Sequence, residues 1–288
     1  MKIDVAKFSV KPGKNVRLKH WPTEIKALYD SKEDGEEKIK EHVKQLQELQ
    51  GRLYADGRHA ALIILQAMDA GGKDSAIKHV MSGVNPQGCQ VVSFKAPSAE
   101  ELGHDFLWRT TRQLPPRGDI CIFNRSYYEE VLIVRVHPDL LAKQRLPEKC
   151  ARDKDLWKHR YHSINEFEKH LARNGTKIIK LFLHISKGEQ RKRFLSRIEE
   201  PEKNWKITPE DVRERGHWHE YTKAYEHCLA ATSTEWAPWH VAPADDKMNA
   251  RLIISRIIVE SLKELKIAAP QADPARRREL ATIKRALK

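Results

Sequence analysis

Aromatic residues are scarce, at 7% of the chain, and the four cysteines (Cys89, Cys121, Cys150 and Cys228) are scattered with no C-x-x-C pair. Thiols so dispersed suggest neither a zinc ribbon nor a disulfide framework, and they are expected to be buried. Aromatics this sparse, not interleaved with basic runs, argue against a nucleic-acid-binding surface. There is no apolar run of about eighteen residues, the length a membrane-spanning helix needs. The start, Met1-Lys-Ile-Asp-Val-Ala-Lys, has neither the apolar stretch nor the cleavage site of a signal peptide. The expectation is a cytoplasmic protein with no membrane partner. Internal repeats and low-complexity tracts are also lacking.

Positive charge is abundant. Lys and Arg number 53 against 40 Asp and Glu, a net charge of +13. Solvated lysines account for part of such an excess, but its size points to an anionic partner. The sign alone does not separate nucleic acid, membrane surface and phosphate polymer. With 288 residues, 40% of them hydrophobic, the chain can bury a sizeable core.

Residues 1–35 read as a polar, irregular N-terminal arm, broken by Pro12-Gly13, Trp21-Pro22 and Glu33-Asp34-Gly35. Helical spacing of Ile39, Val43, Leu46, Leu49 and Leu53 predicts an amphipathic helix over 36–53. It leads into an almost wholly apolar run over 60–66, suited to the middle of a parallel sheet covered on both faces. Further strands are predicted at 89–94, 119–123, 177–185 and 239–242, and helices at 73–83, 99–113, 127–136, 149–174 and 246–265. Strands alternating with helices imply a doubly wound α/β fold with about five parallel strands. A charged, strand-free stretch at about 188–232 is where a lid would sit, within a domain spanning 36–270. A basic tail, 271–288, follows.

The chemistry is concentrated in four places. Ala67-Met-Asp-Ala-Gly-Gly-Lys-Asp-Ser75, between a strand and a helix, has the makings of a phosphate cradle: Gly71 and Gly72 permit close backbone approach, and Lys73 supplies a point charge. It departs from G-x-x-x-x-G-K-[ST], since Ala67 replaces the first glycine, Asp74 stands where the hydroxyl is expected, and Ser75 comes one place late. Asp69 inside a phosphate loop needs a cation between carboxylate and phosphate, which argues for Mg²⁺. Next, Ile120-Cys-Ile-Phe-Asn-Arg-Ser-Tyr-Tyr-Glu-Glu-Val131 is an apolar strand ending in polar residues. At the carboxyl end of such a strand, Asn124, Arg125 and Glu129 are expected to face the loop, the first and last toward the metal and Arg125 toward a transferring phosphate. Third, Arg193 and Arg197 are four apart with Gln190 a turn below, one helix face of donors suited to phosphate. Finally, His217 and His219, at i and i+2, fall on different sides of a helix and make no metal site.

Met68–Ser75, Ser82-Gly-Val-Asn-Pro-Gln-Gly88, Ser93-Phe-Lys-Ala-Pro97, Phe123-Asn-Arg-Ser-Tyr-Tyr128 and Gln190-x-x-Arg193-x-x-x-Arg197, in this order, resemble the second family of polyphosphate kinases. The likeness runs from about residue 17 to 265. It implies a P-loop nucleotide-kinase-like core with a helical lid, and reversible transfer of a terminal phosphoryl between inorganic polyphosphate and AMP or ADP, giving ADP or ATP. It further implies Mg²⁺, with Mn²⁺ as the alternative, and a homo-oligomer, dimer or tetramer. By the same resemblance Asp69, Lys73, Arg125 and Glu129 are catalytic and Asp69, Asn124 and Glu129 hold the metal. Ala70, Gly71, Gly72, Lys73, Asp74, Ser75, Arg125, Arg193 and Arg197 bind phosphates. Family members restricted to diphosphates carry Asp-Arg-Ser and an Asn five residues on. Here Asn124 comes first and Glu129 second, an exchange that implies acceptance of AMP as well as ADP. Two other readings compete: an ATP-dependent nucleoside monophosphate or small-molecule kinase, and a basic nucleic-acid-binding protein with a vestigial P-loop.

Overall fold

Ala60–Ala67 (β1) is buried at every position, as an apolar run with helices on both sides must be, and it occupies the centre of the sheet. In the computed structural model, which describes residues 3–268 and 272–287, β1 pairs in parallel with β3 (Ile120–Asn124) on one side and β4 (Thr176–His184) on the other. Outside these lie β2 (Cys89–Ser93) and β5 (Trp239–Pro243), giving the order β2-β3-β1-β4-β5, all parallel. The chain leaves β1 toward β2 and β3, then crosses to β4 on the other flank. That reversal makes the carboxyl end of β1 a topological switch point, where open α/β sheets bind ligands.

The longer helices, in chain order, are α1 (Lys32–Asp56), α2 (Lys73–Val80), α3 (Leu156–Arg173), α4 (Lys187–Glu199), α5 (Pro209–Gly216), α6 (Trp218–Thr232), α7 (Lys247–Lys263) and α8 (Pro274–Ala286). Helices α1, α2 and α7 pack together over one face of the sheet, and α3 and α6 over the other. Leu252, Ile253, Ile254, Ile257, Ile258, Val259 and Leu262 of α7 are buried, removing about 2 kcal/mol worth of apolar surface from water per side chain. This is the expected α/β architecture. The predicted boundary at 270 and 271 and both chain ends lie outside the described residues. No helix among those described is long and apolar enough to cross a membrane.

The N-terminal segment is irregular but docked. Val10, Val16 and Leu18 are buried, and the Val10 N–H donates to the Trp239 carbonyl at 2.8 Å. Ser9 bridges His240 antiparallel, so the segment covers the edge that β5 would otherwise expose. In the 188–232 stretch, α4, a 3-10 turn at Pro201–Lys206 and α5 are followed by α6. Its Ala224, Tyr225, Cys228, Leu229 and Thr232 are buried. Helix α8, carrying the basic tail, buries no residue.

Several predicted elements differ. Helix α1 begins before 36, because Ser31 caps it by accepting from the Asp34 N–H. Gly35 is no breaker: a Cβ there would come within 2.9 Å of Met248 Cγ, so glycine permits the close approach of α1 and α7. The helix expected at 99–113 is two short ones, Ala99–Leu102 and Trp108–Thr111. That expected at 127–136 is a 3-10 turn, Tyr127–Val131, with one α-turn after it. Not all cysteines are buried: Cys150 is exposed and Cys89 half-buried. Burial pushes the Cys121 and Cys228 thiols up to about 12, which leaves them unreactive near neutrality.

Candidate functional site

The loop leaving β1 adopts its shape through two glycines. A Cβ on Gly71 would lie 2.4 Å from Ala67 Cβ and 2.8 Å from the Met68 carbonyl oxygen, so the turn closes only with glycine there. Gly72 has φ +97°, which L side chains rarely adopt, and caps α2. Ala70 is also left-handed, at φ 58°. The loop thus ends on the N-terminus of α2, where free N–H groups and the helix dipole favour an anion. Lys73 begins that helix and reaches back to the Ala67 carbonyl at 3.3 Å. Burial, and next the charge of Arg125, push its ammonium below the ordinary lysine range, while Asp69, Glu129 and Asp74 pull it back up.

Parallel pairing of β1 with β3 brings the second motif to the first. Arg125 continues the ladder, its N–H donating to the Leu65 carbonyl at 3.1 Å. It then turns left-handed at φ 65°, a conformation costing about 1–3 kcal/mol for a non-glycine residue and typical of functional sites. Its guanidinium lies 3.3 Å from Asp69 Oδ1 and 3.5 Å from Glu129 Oε2. Glu129 foremost, then Asp69, holds it above its ordinary pKa against burial. Asn124 turns to the other end of the loop, donating to Asp74 Oδ1 at 2.6 Å. The structure therefore brings Asp69, Lys73, Arg125 and Glu129 together, and places Asn124 with Asp74.

A hard divalent ion such as Mg²⁺ takes one or two carboxylates and completes its shell with water and phosphate oxygens. Asp69 and Glu129, held on a single guanidinium, suit that demand, and the buried Asn124 Oδ1 has no partner. Among the described residues no cluster of three or more His, Cys, Asp or Glu is arranged to hold a metal ion.

The arginines of α4 divide. Arg193 is buried and spends its donors on the protein: Nε on Glu189, one amino nitrogen on the Ala70 carbonyl, the other on the carbonyls of Ala244 and Asp245. It tethers the loop to the end of β5. Gln190 does similar work, donating to the Asp69 carbonyl at 3.0 Å. Arg197 is not brought to the loop; it donates to the Lys206 carbonyl and lies over the Phe194 ring. Because Arg193→Ala strands three carbonyls and a carboxylate, it is expected to cost about 2–4 kcal/mol. Its melting temperature should fall by roughly 3–7 °C, with little change for Arg197→Ala. Calorimetry of the two variants checks this, and equal melting would show that the tether contributes nothing.

Two cavities flank Arg125. One, of about 230 Å³, lies beneath α5 and is lined by Asp69, Gln190, Glu214, Arg215, Trp218 and Tyr221 among others. The second, of about 350 Å³, has apolar walls that include Phe94, Pro97, Leu102 and Phe106, with Arg109 at its side. Arg125 and Glu129 line both. Sequence reasoning missed several contributors. Arg215 bonds the Lys187 carbonyl and Gln190, and its only local signal is the charged Arg213-Glu214-Arg215 run. Arg251 of α7 donates to Ser75 Oγ at 2.8 Å and shares a small cleft with Gly72, Arg193 and Lys247. It is 176 residues from Ser75, and no local pattern could have paired them.

A glycine-shaped loop with a lysine at the end of a central parallel strand, faced by an arginine between two carboxylates, defines a P-loop protein that handles phosphoryl groups. The sequence pattern of Polyphosphate kinase 2 (PPK2) matches residues 29–270. Over 287 residues, the chain is 56% identical to the ADP-polyphosphate phosphotransferase of Rhodopseudomonas palustris, covering 100% of this chain and 99% of that protein. It is 43% identical over 270 residues to the AMP/ADP-polyphosphate phosphotransferase of Meiothermus ruber, covering 93% and 97% respectively. The crystal structure of polyphosphate kinase 2 from Arthrobacter aurescens TC1 superposes with a TM-score of 0.85 at 39% identity, covering 96% of this chain and 95% of that one. The chain belongs to the polyphosphate kinase 2 family.

Proposed function

We propose that this chain is a phosphotransferase that moves the terminal phosphoryl group of inorganic polyphosphate to ADP or AMP, and reversibly back. The observation that carries the reading is the shared wall: Arg125 and Glu129 belong to both cavities, so groups held on either side meet at one guanidinium. The apolar cavity, with Phe94 and Phe106, suits a nucleotide base. The other cavity, beneath α5, takes the end of the polyphosphate, and Lys247 and Arg251 add positive charge on the loop's further side, beside Ser75. A polymer with a charge on every phosphate needs such a basic path, as a nucleic-acid backbone does.

In this reading the loop amides and Lys73 hold the donor phosphates, and Arg125 neutralises the charge that spreads over the transferring group. Asp69 and Glu129 would hold Mg²⁺, which would supply positive charge against the phosphates. Gln190 and Arg193 keep the loop in register through its carbonyls. Helices α4 and α5 act as the lid that excludes water.

The test is incubation of the protein with ADP or AMP, Mg²⁺ and polyphosphate, without ATP. The expected result is ATP from ADP, and ADP from AMP, with one phosphate lost from the polymer per nucleotide formed. Transfer to a nucleoside monophosphate only when ATP is supplied would identify a nucleotide-dependent kinase instead. A nucleic-acid-binding protein would give neither.

A further inference from the structure

Between Arg125 and Glu129 stand Ser126, Tyr127 and Tyr128; both tyrosines are almost fully buried, Tyr127 also forming part of the wall of the apolar cavity. Their hydroxyls converge on one oxygen: Tyr127 and Tyr128 donate to Glu168 Oε1 of α3 at 2.8 and 2.7 Å. The other oxygen, Oε2, accepts from Lys180 Nζ of β4 at 2.6 Å, and both members of that ion pair have no solvent exposure. Lys180 spends its other hydrogens on Tyr128 Oη at 2.9 Å and on the Thr232 carbonyl at 2.6 Å, which uses all three that an ammonium has. The rings of Tyr128 and Trp239 flank the cation, each centroid 5.4 Å away.

A buried ion pair is weak evidence for stability, because its desolvation cost rivals its attraction. Fully satisfied, however, it specifies one geometry. Here that geometry belongs to the short turn joining two site residues. Burial, then the Glu168 carboxylate, keeps both phenols well above their ordinary pKa and hence protonated as donors. Burial draws Lys180 below the lysine range while Glu168 draws it back. Other bonds hold the turn as well: Ser126 Oγ accepts from the Tyr128 N–H, the Ser126 carbonyl from the Glu129 N–H, the Glu129 carbonyl from the Leu132 N–H, and the Glu130 carbonyl and carboxylate from Arg160. The bonds to Leu132 and Arg160 fall at or beyond Glu129; between it and the left-handed Arg125, the two Ser126 bonds are joined by the anchored hydroxyls of Tyr127 and Tyr128.

We infer that Glu168 and Lys180, acting through Tyr127 and Tyr128, are positioning residues that fix the Arg125 guanidinium and Glu129 carboxylate for phosphoryl transfer. Glu168 and Lys180 touch neither cavity; they hold the two tyrosines that open the turn between Arg125 and Glu129. The inference rests on the phosphotransferase reading. Misplacing groups at the reacting centre by a fraction of an ångström lowers the rate of the chemical step more than it weakens binding.

The test removes two oxygen atoms. The double variant Tyr127→Phe with Tyr128→Phe keeps the ring packing against Phe167 and Trp239. Rates are measured at least about 20 °C below its melting temperature, so that the protein is folded. The expected kcat is about tenfold below the parent's, with KM for polyphosphate and nucleotide within about twofold. Amide hydrogen exchange of the segment over 124–131 should accelerate by about tenfold while β1 and β4 keep their protection. A kcat within about twofold of the parent's, or a loss carried wholly by KM, overturns the inference. Exchange does not depend on the phosphoryl donor, so unchanged protection overturns it also if the parent uses another donor. A parent inactive with polyphosphate sinks only the functional reading. Should the double variant not fold, Tyr127→Phe alone, which leaves the contacts of Tyr128 and Lys180 in place, is held to the same criteria with a threefold fall in kcat expected, on the order of half the free-energy effect.

Discussion

Lys73→Ala and Asp69→Asn are each expected to lower kcat by roughly 10²–10³-fold, the cost of losing one preorganised electrostatic group at a developing charge. Neither change should disturb the fold. The Lys73 ammonium has one long contact, 3.3 Å to the Ala67 carbonyl, and Asp69 is partly exposed, its carboxylate opposite Arg125. The loop keeps its shape through Gly71, Gly72 and the Arg193 tether, none of which depends on either side chain. Steady-state rates with ADP and polyphosphate at fixed Mg²⁺, together with melting curves, check this. A variant retaining more than about half the parent's activity would remove its residue from the reacting centre.

Glu129→Gln is expected to lose most activity with every nucleotide, on the order of 10²-fold. It withdraws one of the two carboxylates beside Arg125 and with it a hard ligand for Mg²⁺. The paired exchange Asn124→Asp with Glu129→Asn should have a different result. It restores the carboxylate count but sets the new carboxylate against Asp74, which the Asn124 amide now contacts at 2.6 Å. Like charges there repel, and the added charge stands at the strand end rather than on the turn. ADP activity is expected to survive and AMP activity to fall preferentially, because the shorter acceptor must bring its dianionic phosphate nearer that charge. Initial rates with AMP and ADP decide it. An unaltered ratio in the exchanged protein would end the selectivity argument, and a fully active Glu129→Gln would take Glu129 off the metal.

How far the site was legible depends on how local its causes are. Asp69, Gly71, Gly72 and Lys73 lie in one strand-loop-helix, and Asn124, Arg125 and Glu129 follow one apolar strand, so strand-end logic placed both groups. What the strand-end logic did not show is that the Asn124 amide nitrogen donates to Asp74 of the neighbouring helix and leaves its oxygen without a partner. Arg193 and Arg197 read alike from their spacing. One is buried on backbone carbonyls and the other lies near Lys206, because helix periodicity gives the face and not what the face meets.

The residue order by itself determined the five strands, the parallel alternation and the phosphate loop, because β-run, turn glycine and amphipathic spacing are read over a few consecutive residues. Tertiary structure alone decided that Tyr127 and Tyr128 form a 3-10 turn and not a helix, since their hydroxyls are drawn to Glu168, about 40 residues away. It also set the left-handed backbone of Arg125, and brought Arg215 to Gln190 and Arg251 to Ser75. Those contacts satisfy buried polar groups across long sequence separations, and the desolvation cost of leaving such groups unpaired outweighs the local preference of any short segment.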